Sequence, residues 1–274
     1  MIFKTINLTN EEGGATLDVY VADPHPEFTR KALVILPGGG YTHVSPREGE
    51  PVAHAFMPYG YNAFVLHYTV GKNSGKAFPA QLIEATLAIK HVKDHAEEYG
   101  VDPEELYVVG FSAGGHLAAS VATMWKHKAV LEAVDMPYGY NRPRGVMLIY
   151  PMISPDYSNC DGYTRAWGTL LGCESPTREQ LNEAAIERHV DADTVPAFIM
   201  HTYTDRIVDV RNVMVLGKAY AEAGVPFEMH VFPKGPHGLA VANGITARGK
   251  ASLSNPRVAE WVRLANDWVN TLDV

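Results

Sequence analysis

The stretch from Leu106 to Val121 constrains the fold of this chain more than any other part. It opens with an apolar run rich in β-branched and aromatic residues, continues as Gly110-Phe111-Ser112-Ala113-Gly114, and ends in small residues that favour a helix. This pattern is typical of a buried strand that turns sharply into a helix and holds a serine at the turn. We expect glycine at the two outer positions because the strand and helix backbones pass too close to Ser112 to leave room for a Cβ.

Ser112 is therefore a candidate nucleophile. The helix that follows points its first amides and the positive end of its dipole toward the turn, so the amide of Ala113 is a candidate donor to an oxyanion. The pattern alone is weak, because glycine and serine are common in turns. An ordinary strand-to-helix turn stays the alternative until the rest of the chain is considered.

The remaining pattern alternates strands and helices, after an opening pair of strands joined by a polar, glycine-containing turn. Strands are predicted at 2–8, 15–22, 32–36, 61–68, 106–109, 145–150, 196–202 and 226–232, and helices at 49–58, 79–98, 178–189, 209–223 and 256–272. Such alternation predicts an α/β fold with one mostly parallel sheet of about eight strands, an N-terminal hairpin and helices on both faces. Since no linker-like boundary interrupts it, we expect residues 1–274 to form a single domain.

The segment from 152 to about 195 carries no further strand. An insertion of this length between two strands most often forms a cap or a pocket wall. Its aromatic residues, Tyr157, Tyr163 and Trp167, are candidates for substrate contacts. The alternative, that each only packs the insertion onto the body, stays equally open.

Functional groups in an open α/β sheet gather at the carboxyl ends of the strands. The triple glycine 38–40, Ser112, Asp205 and His237 all follow predicted strands directly. A serine hydroxyl needs a base, and the base needs a carboxylate that fixes its tautomer. The chain order Ser–Asp–His matches that used by nucleophile-elbow enzymes. We therefore predict Ser112, His237 and Asp205 as nucleophile, base and acid, with the glycine loop as a second source of oxyanion donors.

Two alternatives to these assignments stay open. His116 lies in the helix directly after the serine and is near enough to be considered as the base. Asp209 stands four residues beyond Asp205, where it fits better as a residue that begins the next helix.

Several segments together resemble the α/β-hydrolase superfamily, in the esterase/lipase branch near acetyl-xylan-esterase-like and prolyl-oligopeptidase-like hydrolases. The resemblance covers nearly the whole chain and rests on five segments, namely 37–41 (PGGGY), 45–48 (SPRE), 110–116 (GFSAGGH), 201–208 (HTYTDRIV) and 235–239 (GPHGL). It implies a three-layer α/β-hydrolase fold in which 152–195 is a cap-like insertion. It also implies Ser112 as nucleophile, Asp205 as acid and His237 as base, with the amides of Gly39, Gly40 and Ala113 as the oxyanion hole. The sequence departs from the pattern at Pro37, where many relatives carry histidine.

Composition excludes several other classes. The formal net charge is −8 and no Lys/Arg cluster is present, which argues against nucleic acid or an anionic membrane surface as a partner. No apolar run approaches the roughly 18–20 residues that span a bilayer, and the N-terminal residues do not resemble a signal peptide. With only two cysteines, we expect a cytoplasmic protein.

His91 and His95 lack the surroundings of a metal site, so no metal is predicted, and a homodimer is compatible with the sequence.

We therefore expect a serine carboxylester hydrolase that acts on small-molecule, short-chain acyl esters, with acetylated carbohydrate as one candidate substrate. The mechanism needs no cofactor. An amide hydrolase (a peptidase or arylformamidase) with the same three residues is one alternative, and a non-catalytic binding protein on the same fold is another.

Overall fold

The computed structural model describes residues 2–9, 11–25, 27–71, 76–158 and 160–272, and eight strands of these residues form one sheet. In chain order they are β1 (Ile2–Asn7), β2 (Thr16–Val21), β3 (Arg30–Leu36), β4 (Tyr61–His67), β5 (Val101–Phe111), β6 (Gly145–Ile149), β7 (Ala197–Thr202) and β8 (Phe227–Phe232). The spatial order is β1-β2-β4-β3-β5-β6-β7-β8. β2 is antiparallel to both of its neighbours, β1 and β4, and all other pairs are parallel. The mostly parallel sheet with an N-terminal hairpin is thus confirmed.

The helices lie between these strands and after the last one. They are α1 (Glu50–Phe56), α2 (Ala80–Asp94), α3 (Ala96–Tyr99), α4 (Ala113–Met124), α5 (Lys128–Ala133), α6 (Asp161–Leu170), α7 (Arg178–Ala184), α8 (Arg211–Ala223), α9 (Gly244–Ala247), α10 (Pro256–Ala259) and α11 (Trp261–Val269). Thr177 and Gln180 form the predicted capping box at the start of α7. Gly224 ends α8 in a left-handed conformation, as its position predicts. Among the described residues, no helix is both long and apolar enough to cross a bilayer.

The parallel strands β3 to β7 are largely buried on both faces, which gives the molecule three layers, whereas the edge strand β8 is only partly buried. Along β3, Val34 and Leu36 belong to one hydrophobic cluster and Leu33 and Ile35 to the other. The first cluster includes apolar residues of α2, α4, α6 and α8, and the second those of α1, α10 and α11. Burial on both faces explains why these strands are continuously apolar rather than alternating.

Three helices that the sequence predicts as continuous are interrupted, so their predicted extents are wrong. The helix at 79–98 breaks at His95 (φ −111°, ψ 23°). The Nδ1 atom of His95 donates a hydrogen bond to the carbonyl oxygen of His91. The helix at 178–189 gives way to a 3₁₀ turn, Ile186–Arg188. The helix at 256–272 is divided at Glu260 and ends at Val269. In the helix at 79–98 the apolar periodicity runs from Leu82 to Ala96 across the break and does not reveal it.

The segment at 152–195 carries α6 and α7 and is packed into the first cluster. Tyr163, Trp167, Leu170 and Ile186 are all buried there. This packing makes the segment a wall of the fold rather than a detached lid. It runs from the end of β6 to the start of β7, beside the carboxyl ends of the parallel strands.

Candidate active site

The turn between β5 and α4 holds Ser112 in a strained conformation, with φ 53° and ψ −115°. A Cβ on Gly110 would lie 2.1 Å from the carbonyl oxygen of Gly114, and a Cβ on Gly114 would lie 2.0 Å from the carbonyl oxygen of Leu36. These contacts confirm that both positions need glycine for steric reasons. Positive φ at a non-glycine residue costs of order 1–3 kcal/mol and is typical of functional sites.

The structure joins the three predicted residues in one hydrogen-bond chain. Ser112 Oγ lies 2.8 Å from His237 Nε2, and His237 Nδ1 lies 2.6 Å from Asp205 Oδ2. A carboxylate can only accept, so Nδ1 carries the proton and Nε2 is free to accept from the serine hydroxyl. This is the tautomer that a general base for Ser112 requires.

Asp205 is held ready to accept from His237. Its side chain is fully buried, and its other oxygen accepts hydrogen bonds from the amides of Ile207 (2.8 Å) and Val208 (3.0 Å). Burial alone would raise the pKa of Asp205, but its hydrogen bond and charge interaction with His237 hold that pKa below its ordinary value. Asp209 instead accepts from Arg211 through both carboxylate oxygens, so the structure joins Asp205, not Asp209, to His237.

A cavity of about 260 Å³ opens over Ser112 and His237. Gly39, Gly40 and Ala113 line it, and in the described part of the chain none of their amides donates to a protein acceptor. A Cβ on Gly39, whose φ is 131°, would lie 1.9 Å from the carbonyl oxygen of His43, so the loop needs glycine there. Amides beside a serine hydroxyl can stabilise a developing oxyanion, and the amide of Ala113 also lies at the start of the twelve-residue helix α4.

Glu48 and Tyr150 link the glycine loop to the loop of His237, and the sequence assigned neither a role. The carboxylate of Glu48 is buried and accepts from the Gly38 amide (2.9 Å) and the Tyr150 hydroxyl (2.8 Å). That hydroxyl accepts in turn from the Ala240 amide (2.8 Å), and the Tyr150 ring packs edge-on against His237 with centroids 5.1 Å apart. Residues 45–48 are one of the five segments that resemble the α/β-hydrolase superfamily. That resemblance was the only sequence signal that pointed to Glu48.

His201 is a third residue near the site to which the sequence assigned no catalytic role. It is fully buried beside Asp205, and its Nε2 donates to the carbonyl oxygen of Val208 at 3.0 Å. Burial lowers the pKa of His201, so the ring is neutral. It fixes the loop whose amides hold Asp205.

His116, the alternative base, is buried away from this hydrogen-bond chain. Its Nε2 donates to the Ala184 carbonyl oxygen (2.8 Å), and its Nδ1 accepts from the Tyr41 hydroxyl (2.7 Å). Burial lowers the pKa of His116 to about 4. Both ring nitrogens are occupied by the fold, which leaves neither for Ser112.

This buried imidazole makes stability depend on pH. The pKa of His116 is about 4 when folded and about 6.5 when unfolded, so between these values the unfolded chain binds the extra proton. We expect the free energy of unfolding to fall as the pH decreases from about 6.5 to 4. The expected contribution of His116 is about 1 kcal/mol per pH unit. Denaturant titrations of wild type and His116→Gln over this range measure it, because glutamine keeps a donor and an acceptor but does not titrate. Equal pH slopes for the two proteins would refute this assignment.

Only one of the three aromatic residues predicted to contact substrate lines the cavity. Tyr163 lines the cavity with Met152 and Ala166. Trp167 does not line it, and packs edge-on against His116. Tyr157 lies under the guanidinium of Arg211. The insertion therefore contributes one of its three candidate aromatics to the cavity.

His91 and His95 do not converge on a common site. Their rings stack with centroids 4.1 Å apart, and His91 Nε2 pairs with the Tyr99 hydroxyl at 2.9 Å. Within the described ranges, no three His, Cys, Asp or Glu side chains form a group that could hold a metal ion.

Comparison with known proteins gives one family and several relatives. The BD-FAE family matches residues 17–220, well over half of the chain. A solved α/β-hydrolase enzyme from a Medee basin deep-sea metagenome library is 32% identical, with a TM-score of 0.80, and the match covers 100% of this chain and 99% of that one.

Two curated relatives are longer proteins. Endo-1,4-beta-xylanase B of Butyrivibrio fibrisolvens is 36% identical over 221 residues, covering 79% of this chain and 34% of that protein. Acetylxylan esterase of Xylanibacter ruminicola is 29% identical over 244 residues, covering 86% of this chain and 45% of that protein. The chain thus spans less than half the length of these two relatives.

Proposed function

The chain belongs to the BD-FAE family and has the three-layer α/β-hydrolase fold, and from this premise we propose that it is a serine carboxylester hydrolase acting on short-chain acyl esters. The observation that carries the proposal is the hydrogen-bond chain Ser112–His237–Asp205 beside three amides that donate to no acceptor in the described part of the protein. A relative named acetylxylan esterase supports an acetylated carbohydrate as the substrate.

In the first half of the reaction, the oxygen of Ser112 attacks the ester carbonyl carbon while its proton passes to His237 Nε2. The carbonyl oxygen becomes an oxyanion, to which the amides of Gly39, Gly40 and Ala113 donate. Asp205 stabilises the imidazolium through Nδ1. The C–O bond then breaks, His237 returns the proton to the leaving alkoxide, and the acyl group stays on Ser112.

The second half repeats these steps with water. His237 removes a proton from a water molecule, whose oxygen attacks the acyl-enzyme. The same amides hold the second oxyanion, and His237 protonates the departing Ser112 oxygen. The products are a carboxylic acid and the free enzyme, so the cycle balances without a metal or cofactor.

The size of the cavity favours short acyl groups. A volume of about 260 Å³ lies below the range typical of pockets for drug-sized ligands. We expect kcat/KM to be highest for p-nitrophenyl acetate or butyrate. For the octanoate we expect it to be about tenfold or more lower, because the part of the chain that the cavity cannot hold must stay in water. Each methylene changes the transition-state binding energy by at most a few kcal/mol. An anilide with the same acyl group is measured beside them.

Two outcomes of this experiment would overturn the proposal. Faster cleavage of the anilide than of the ester would favour the amide hydrolase. No turnover of any substrate by folded protein would favour a non-catalytic binding protein.

The Glu48 contacts lead to a separate prediction. Glu48→Gln replaces one acceptor oxygen by an NH₂ group, so either the Gly38 amide or the Tyr150 hydroxyl loses its acceptor. We expect the free energy of unfolding to fall by about 1–3 kcal/mol and kcat for p-nitrophenyl acetate to fall by about tenfold to a hundredfold through misplacement of the two loops. Glu50→Gln, the same change at an exposed site nearby, is the matched control. Wild-type kcat in Glu48→Gln would contradict the expected role of this carboxylate.

A further inference from the structure

The cavity over Ser112 has two kinds of lining. Apolar residues come from the insertion and the loop after Asp205, namely Met152, Tyr163, Ala166, Ile207 and Val208. Polar residues come from the loop after β3, namely His43, Ser45, Arg47 and Glu48. A short acyl chain needs only the apolar set. His43, Ser45 and Arg47 are therefore available to another part of the substrate, whereas both oxygens of Glu48 already accept from Gly38 and Tyr150.

Arg47 stands out in the polar set because most of its donors are unused. Its Nε donates to the Thr246 carbonyl oxygen at 2.7 Å. Among the described residues, neither Nη1 nor Nη2 has a hydrogen-bond acceptor, and Nη2 is shielded from solvent. A guanidinium has five donors in a rigid fork, and buried donors without acceptors are unfavourable. Within the described ranges, the guanidinium is therefore anchored at Nε and has no hydrogen-bond acceptor at Nη1 or Nη2.

Nη1 of Arg47 lies beside the residue that follows the base in the chain. The position that a Cβ on Gly238 would take is 3.9 Å from Nη1, and Gly238 directly follows His237. In the proposed reaction His237 protonates the leaving oxygen, so the alcohol part of the ester lies next to this residue pair. Nη1 is thus placed on the leaving-group side of the cavity.

We propose that Arg47 is a specificity-determining residue that selects esters of polyhydroxylated alcohols, by donating from Nη1 to a hydroxyl oxygen of the leaving group. A neutral hydroxyl fits better than a carboxylate, because Glu48 also lines the cavity and the chain carries a net charge of −8. Ser45 and His43 add neutral polar groups to the same lining. This inference rests on the proposed function and names the alcohol that the site prefers.

The test compares two acetates with the same carbon skeleton, glycerol 1-acetate and propyl acetate, by titrating the released acid. Wild type is expected to show the higher kcat/KM on glycerol 1-acetate. In Arg47→Gln the ratio of the two kcat/KM values should fall about tenfold or more, mainly through KM, since a charged donor to a hydroxyl is lost. Arg47→Lys should recover part of the ratio, because it keeps the charge without the fork. Any unfolded fraction cancels, since both substrates are measured on one preparation.

Arg165→Gln is the matched control, because it removes the same charge from an exposed position on α6 outside the cavity lining. It should keep the wild-type ratio. An unchanged ratio in Arg47→Gln would overturn this inference alone. A larger loss of Arg47→Gln on acetylglycolate than on glycerol 1-acetate would overturn it in favour of a carboxylate-bearing alcohol. No turnover of these acetates or of p-nitrophenyl acetate by wild type would overturn the proposed function, and this inference with it.

Discussion

Replacing Ser112 with alanine is expected to lower kcat for p-nitrophenyl acetate by about 10⁴- to 10⁶-fold. In the proposed mechanism the change removes the atom that forms the acyl-enzyme, while the cavity and the amides proposed to bind the oxyanion stay in place. KM should change little, because the serine hydroxyl contributes to the transition state rather than to substrate binding. Steady-state kinetics with purified variants, on a preparation free of host esterases, measures the loss.

The fold should tolerate this change. Alanine keeps the Cβ and the positive φ of residue 112, so the strain of the turn is neither added nor relieved. Thermal unfolding of Ser112→Ala should therefore stay close to wild type. Ser252→Ala, the same change at an exposed position, should keep full turnover. Substantial ester turnover in Ser112→Ala would show that another group is the nucleophile.

Asp205→Asn is expected to lower kcat by about 10³- to 10⁴-fold. The Ile207 and Val208 amides would hold the asparagine carbonyl oxygen, as they now hold Oδ1, and so turn the NH₂ group toward His237. Nδ1 would then have to accept, the proton would move to Nε2, and the ring could no longer take the proton of Ser112. The same kinetic assay measures this loss.

Asp209→Asn is the control for this second prediction. It makes the same chemical change at the alternative acid, whose carboxylate pairs with Arg211 rather than with His237. We expect its turnover to stay near wild type. A larger loss in Asp209→Asn than in Asp205→Asn would reverse the assignment of the acid.

The parts of the site that the sequence predicted are those with local determinants. Gly110, Ser112 and Gly114 lie within five residues, and the contact that requires Gly110 comes from Gly114 of the same segment. The contact that requires Gly114 comes from Leu36 at the end of β3, the neighbouring strand. His237 and Asp205 were predicted as base and acid because each follows an apolar strand directly, and parallel strands bring their carboxyl ends to one edge. Topology then determines which loops meet.

The parts that the sequence missed depend on contacts between distant segments. Glu48 accepts from Tyr150, which is 102 residues away in the chain, and Tyr150 accepts from Ala240, a further 90 residues on. A carboxylate in a polar loop gives no sign that it will be buried by such partners. The unused donors of Arg47 are equally invisible, since they are defined by what the fold does not place beside them.

The aromatic residues of the insertion show the same limit. Tyr163 and Trp167 are four residues apart on α6, and both were equal candidates for substrate contacts from the sequence alone. Only Tyr163 lines the cavity, because Trp167 packs against His116 of α4. Helical spacing places both on one side of the helix but does not say where on that side the cavity opens.

The most direct test of the account is covalent labelling of the native protein with diethyl p-nitrophenyl phosphate, followed by mass-spectrometric peptide mapping. We expect one diethylphosphoryl group, carried by Ser112, and a loss of ester turnover in proportion to the label. Labelling should be absent from Ser112→Ala and strongly slowed in Asp205→Asn, since both lack an activated serine. Ester turnover that persists without label on Ser112, or that is lost with label on another residue, would contradict the account.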